Sequence, residues 1–181
     1  GVTGVQTCAL PIYRFNSQDI SHTLLALDRM GLKWDTNGLS SDLKRKLLDS
    51  VADNANRFTS QGIANTLLAL DRMGLKWDTN DLSSDLKRKL LDSVADNANR
   101  FNGQGIANTL LSLAQMGMRW NINKLSSALQ RKLLVSIDEN IEHFNSQDIA
   151  NTLLALGQMG FNGFELSNRR SEEHTSELQS R

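Results

Sequence analysis

The stretch FNSQDISHTLLALDRMG (15–31) decides the fold, because it returns three times: FTSQGIANTLLALDRMG (58–74), FNGQGIANTLLSLAQMG (101–117) and FNSQDIANTLLALGQMG (144–160). Phe15, Phe58, Phe101 and Phe144 mark a period of 43 residues. The first two units differ only at the pairs 16/59, 19/62, 21/64, 22/65 and 38/81. Fixed-period self-similarity at this length is the signature of a repeat architecture.

Each unit reads as two helices. The first, helix A, spans about Gln18 to Met30 in unit one. Asn16 or Ser17 can cap it, and Gly31 suits the left-handed residue after its end. Ile20, Thr23, Leu24 and Leu27 share a face at helical spacing. The second, helix B, spans about Ser41 to Asn56 after the connection GLKWDTNGLS, with Ser40 as cap and Leu39 placed to staple onto its first turn. Leu43, Leu47, Leu48, Val51, Ala55 and Phe58 form its apolar side, and Asp42, Arg45, Lys46, Asp49 and Asp53 fall opposite. No proline interrupts the chain between Tyr13 and Arg169. A helical pair cannot bury both apolar faces alone, and stacked neighbours cover each other. The expected fold is therefore all-α: an α-solenoid of tandem two-helix repeats. Its units run 13–57, 58–100, 101–143 and, in part, 144–169.

The two ends read differently. GVTGVQTCALPI (1–12) and RSEEHTSELQSR (170–181) resemble the two translated orientations of one sequencing-library adapter, and they hold the only cysteine and the only proline. They are expected to be adapter-derived. On that reading Gly1 to Ile12 is no signal peptide, and the native insert, about Tyr13 to Arg169, is an internal piece of a longer repeat protein.

Composition excludes several functions. The 181 residues carry 20 Lys+Arg against 20 Asp+Glu, without the basic excess that by itself points to nucleic acid or a membrane surface. No apolar run approaches the roughly 20 residues of a membrane helix, so no membrane insertion is expected. One cysteine offers no disulfide and no metal-ligand spacing, and no metal or cofactor is expected. His22 and His143 lie in different units and do not recur, since residue 22 becomes Asn65, Asn108 and Asn151. They read as incidental surface residues. The aspartates of helix B read as a solvated face, with Asp42–Lys46 and Arg45–Asp49 able to pair at i, i+4. With no phosphate loop and no nucleophile elbow, the expectation is a binding module and not an enzyme.

Repetition can build an extended binding surface. A stripe on helix A, opposite the apolar face, runs Gln18, His22, Leu25, Arg29; then Gln61, Asn65, Leu68, Arg72; then Gln104, Asn108, Leu111, Gln115; then Gln147, Asn151, Leu154, Gln158. Parallel stacking would set these side chains in ladders, and amides and arginines bond base edges or peptide groups. The alternative is that the amides satisfy one another or nearby backbone. A second candidate is the basic–aromatic pair Lys33–Trp34, Lys76–Trp77, Arg119–Trp120. Its rings could stack on unpaired bases, or instead seal the helix layers. The runs Lys44–Lys46 and Lys87–Lys89, flanked by aspartates, read as an exposed face. Positions 19/62/105/148, 28/71/114/157 and 29/72/115/158 vary between units. If ligand is read unit by unit, positions near these do the reading.

The helix A line resembles octotricopeptide-type repeats through Phe144, Gln147, Ile149, Ala150, Asn151, Leu153, Ala155, Leu156 and Gly160. It is also similar to a bacterial repeat family of unknown function from intracellular pathogens. The first resemblance implies helical hairpins that bind single-stranded RNA; the second implies only a repeat scaffold. The expected partner is single-stranded RNA, or alternatively a protein or peptide. The array is expected to act as a monomer within a longer repeat protein, in an intracellular setting.

Overall fold

A computed structural model describes residues 15–36, 38–121 and 123–163. The expected adapter segments, 1–12 and 170–181, lie outside these residues. Seven α-helices follow in order: α1 (Ser17–Arg29), α2 (Ser41–Asn54), α3 (Ser60–Arg72), α4 (Ser84–Asn97), α5 (Gly103–Gln115), α6 (Ser127–Asn140) and α7 (Ser146–Met159). Odd-numbered helices are the A helices and even-numbered ones the B helices. Each B helix ends in a single 3-10 turn, at Ala55–Arg57, Ala98–Arg100 and Ile141–His143. Helix B was expected to run to Asn56; its last residues tighten into that turn, which brings the chain round to the phenylalanine opening the next unit.

Caps fix the helix starts. Asn16 Oδ1 accepts the N–H groups of Gln18 and Asp19, and Asp19 Oδ2 accepts the Asn16 N–H in return. Asn145 and Asp148 repeat this capping box on α7. In α3 and α5 glycine replaces the acid, and Thr59 and Asn102 cap alone. Ser40, Ser83 and Ser126 cap the B helices through the N–H groups of Leu43, Leu86 and Leu129. Gly31, Gly74, Gly117 and Gly160 all have positive φ, from 74° to 98°, where a side chain is strained. That residue turns the chain out of every A helix.

The A helices pack side by side as one layer, α1 on α3, α3 on α5 and α5 on α7, with the most extensive contacts of the molecule. The B helices form a second, more loosely packed layer, α2 on α4 on α6, and the first two 3-10 turns rest on the following B helix. One continuous core lies between the layers, with Ile20, Leu24, Leu47, Val51, Ile63, Leu67, Leu90, Val94, Ile106, Leu110 and Leu133 at 1 % exposure or less. This is the tandem two-helix α-solenoid expected from the period.

Two polar devices hold the register. Asn54, Asn97 and Asn140 each donate from Nδ2 to the phenylalanine carbonyl that opens their own unit, Phe15, Phe58 and Phe101, at 3.0–3.1 Å. Between units, the N–H groups of Trp34, Trp77 and Trp120 donate to the carbonyls of Met73, Met116 and Met159, at 2.7–2.8 Å. Beside them Lys33 Nζ, Lys76 Nζ and an Arg119 guanidinium N–H reach the carbonyls of Arg72, Gln115 and Gln158, at 2.5, 2.8 and 2.7 Å. Each loop therefore caps the C-terminus of the next A helix, whose last carbonyls have no partner within their own helix.

Candidate ligand-binding surface

The inter-unit cap corrects one expectation. Trp34, Trp77 and Trp120 are 4, 4 and 8 % exposed, so their ring faces are closed to a stacking base. The Trp120 ring meets Phe161 edge-on, at 5.2 Å between centroids. The cationic heads of Lys33, Lys76 and Arg119 are already on helix carbonyls. The cause is the left-handed glycine, which reverses the chain and folds the next residues back between the units. Their roles are structural, as the sealing alternative held.

Two of the three cations in each KRK run are tied down as well. Arg45 bridges Asp42 and Asp49 at 2.8 and 3.3 Å, and Lys46 meets Asp42 at 2.8 Å. Arg88 bridges Asp85 and Asp92, and Lys89 meets Asp85. Bonds from these cations hold the Asp42 and Asp85 carboxyls below the usual aspartate range.

The stripe of helix A is on the surface. Gln18, Gln61, Gln104 and Gln147 are exposed, as are Arg29, Arg72, Gln115 and Gln158. His22 is exposed, and Asn65, Asn108 and Asn151 are half-buried beside it in the row. Leu25, Leu68 and Leu111 are half-buried, and Leu154 is open. One line of amides with an apolar third row thus crosses all four A helices. Between α1 and α3 the first turns enclose a polar groove of about 440 Å³, lined by Gln18, Ser21, His22, Gln61 and Asn65, among others. In unit four the amides partly satisfy each other, Gln147 Nε2 donating to Asn151 Oδ1 at 2.8 Å.

At the first unit boundary two of the variable positions meet. Arg72 reaches Asp28 of the preceding unit at 3.6 Å, and that carboxylate side chain is only 10 % exposed. Position 28 of one unit therefore meets position 29 of the next. One step along, the aspartate is Asp71 but its counterpart is Gln115. Burial pushes the Asp71 carboxyl up to about 6, with Lys76 and Arg72 pulling it back only in part. At the third boundary the equivalent positions are Ala114 and Gln158, with no charge on either side. Sequence alone marked these columns as variable but could not pair them, because the pairing crosses a unit boundary.

The described residues hold no cluster of His, Cys, Asp or Glu able to bind a metal ion, and none of their helices is long and apolar enough to cross a membrane. What recurs is the scaffold, and its repeats match a known family description, a protein of unknown function (DUF1601), over residues 12–24, 30–67, 73–110 and 116–153. The chain belongs to the DUF1601 family. Each full DUF1601 match starts at the methionine that ends an A helix, Met30, Met73 or Met116, and stops inside the next A helix, at Leu67, Leu110 or Leu153. The family unit is thus the inter-unit loop, the B helix and the helix that follows. No curated protein matches the chain.

Proposed function

We propose that this DUF1601 array is a non-enzymatic binding module whose A-helix layer holds an extended polypeptide strand. The observation that carries the reading is the row of exposed Gln on all four A helices, continued by half-buried Asn on three of them and exposed His22 on the first, and flanked by a leucine row. Each amide offers two donors and a carbonyl acceptor, which is what the free N–H and C=O groups of an extended peptide require. The half-buried leucines give alternate side chains of the strand an apolar seat. Single-stranded RNA is the second reading, supported by the octotricopeptide resemblance, by amides that also fit base edges, and by exposed Arg29 and Arg72. It ranks below the first because the stacking rings are buried and two of the three cations in each basic run are paired with aspartates. Phosphate binding draws on available cations.

Fluorescence anisotropy of the whole chain, with a library of extended peptides and with labelled single-stranded RNA pools, separates the two. Peptide capture with little salt dependence is the expected result. Exchanging Gln61 and Gln104 for Ala, both exposed, should weaken capture without moving the melting temperature. RNA retention that falls steeply with salt would establish the second reading. Failure to retain any peptide or RNA at low salt overturns both. Within a positive result, Arg29→Gln with Arg72→Gln should change which ligands are preferred. A uniform loss of affinity would show that these positions do not read the ligand.

A further inference from the structure

The first two unit boundaries share one register and differ in one charge. Residues 23–36 and 66–79 are identical, so Asp28 and Asp71 arrive at the end of the same helix. The next A helix is held in the same place at both. The Trp34 and Trp77 N–H groups donate to the Met73 and Met116 carbonyls at 2.7 Å, and Lys33 Nζ and Lys76 Nζ reach the Arg72 and Gln115 carbonyls. At the first boundary that helix supplies a cation from the solvent side. Arg72, whose side chain is 57 % exposed, pairs at 3.6 Å with the nearly covered carboxylate of Asp28. At the second boundary the equivalent residue is Gln115, exposed and uncharged. Asp71 is half-buried, and no side chain among the described residues donates to its carboxylate. The charged groups around it are Lys76, Arg72, Asp28 and Lys33. Both lysines sit on helix carbonyls and Arg72 sits on Asp28, so each cation is engaged elsewhere. A carboxylate taken partly out of water without a partner is costly, and a cation that reaches it relieves that cost.

We propose that Asp71 is a specificity residue of the A-helix surface: it seats one arginine or lysine side chain of the bound strand, as Asp28 seats Arg72. The proposal rests on the polypeptide reading above and names the side chain that the surface selects. Asp71 adjoins the stripe, next to Arg72 and three residues on from Leu68 in α3. It lies between two complete units, so the helices on both sides of it belong to this chain. At the other boundaries no such seat is open. Asp28 already holds Arg72, and Ala114 stands where the acid would be at the third. One cation therefore fixes the register of the strand on the array. A charge-assisted bond to a half-buried carboxylate is stronger than an exposed ion pair, which makes it a selective contact.

Fluorescence anisotropy of the whole chain tests this with pairs of extended peptides that differ at one residue, arginine against the neutral and nearly isosteric citrulline. The arginine peptide should bind about tenfold more tightly, the strength of one hydrogen bond to a charged group. Asp71→Asn and Gln115→Arg should each abolish the difference, the first by removing the acid and the second by supplying its cation from within the protein. Both should leave capture of the citrulline peptide unchanged, and circular dichroism checks that the helices remain. No arginine preference in the wild type, or a preference that survives in either variant, overturns the seat and leaves the polypeptide reading standing. If neither peptide is captured, the polypeptide reading fails and the seat is tested by itself. Millimolar acetyl-arginine amide should then lower the pH at which the Asp71 carboxyl titrates, followed by NMR, and acetyl-citrulline amide should not. No shift, or an equal shift in Gln115→Arg, overturns the seat as well.

Discussion

Asp71 shows how one residue inherits its chemistry from its place in the stack. Its equivalent Asp28 has an arginine in the next unit; for Asp71 the equivalent residue of the next unit is Gln115, and its carboxyl is pushed up from 3.8 to about 6 by burial. Between these values the folded chain keeps a proton that the unfolded chain has released. Stability contributed by that proton is present below about pH 4, falls as pH rises through about 6, and is flat above. At neutral pH the half-buried charge costs on the order of 1 kcal/mol, after discounting the shift for solvent screening. Asp71→Asn should therefore raise the urea midpoint at neutral pH and change it little at about pH 4. Gln115→Arg, which recreates the Asp28–Arg72 pair one unit along, should lower the Asp71 pKa and flatten the same pH dependence. An Asp71→Asn gain that persists undiminished in acid would show that burial of charge is not its source.

At the scale of the elements, each A/B pair is closed by an asparagine that interrupts an otherwise apolar face. Asn97 is 4 % exposed, and its Nδ2 bonds both Phe58 and Ser93 carbonyls, at 3.0 and 2.9 Å. Asn97→Ala should cost about 1–3 kcal/mol, because the Phe58 carbonyl is left buried without a donor. Asn97→Asp should fare no better, since a carboxylate cannot donate. Chemical denaturation checks both, and an Asp variant as stable as wild type would refute the donor role. The asparagine could have been noticed in the sequence, where Asn54, Asn97 and Asn140 recur at the same position. Helix periodicity classifies such a residue only as polar. Its partner is a carbonyl 39 residues away, a distance set by how the two helices close.

For the whole molecule, the same leucine has different worth according to its unit. Leu110 is fully buried between layers, while Leu153, in the equivalent place, is 65 % exposed. Leu110→Ala should cost about 2–5 kcal/mol from lost burial and the cavity left behind. Leu153→Ala should cost about 0.5 kcal/mol or less, as surface substitutions do. Equal losses in urea unfolding would mean that the face of α7 is covered in solution. Identical chemistry at a repeated position thus reports the neighbour and not the residue, as expected where each repeat contacts only adjacent repeats.

The helices, their caps, the turning glycines and the solenoid class were legible in the sequence, because each depends on local spacing repeated four times. The polar stripe was legible too, since residues opposite a buried face of a helix must point outward. Other features depended on distance across the stack. The burial of Trp34, Trp77 and Trp120, the capping of each A helix by the loop before it, and the pairing of position 28 with position 29 of the next unit all join different units. Period and composition constrain what a unit contains; they do not fix how one unit is rotated and shifted on the next. That geometry is decided by packing of the A layer, and it settled the aromatic pair, open between a stacking platform and a seal, as the joint between repeats.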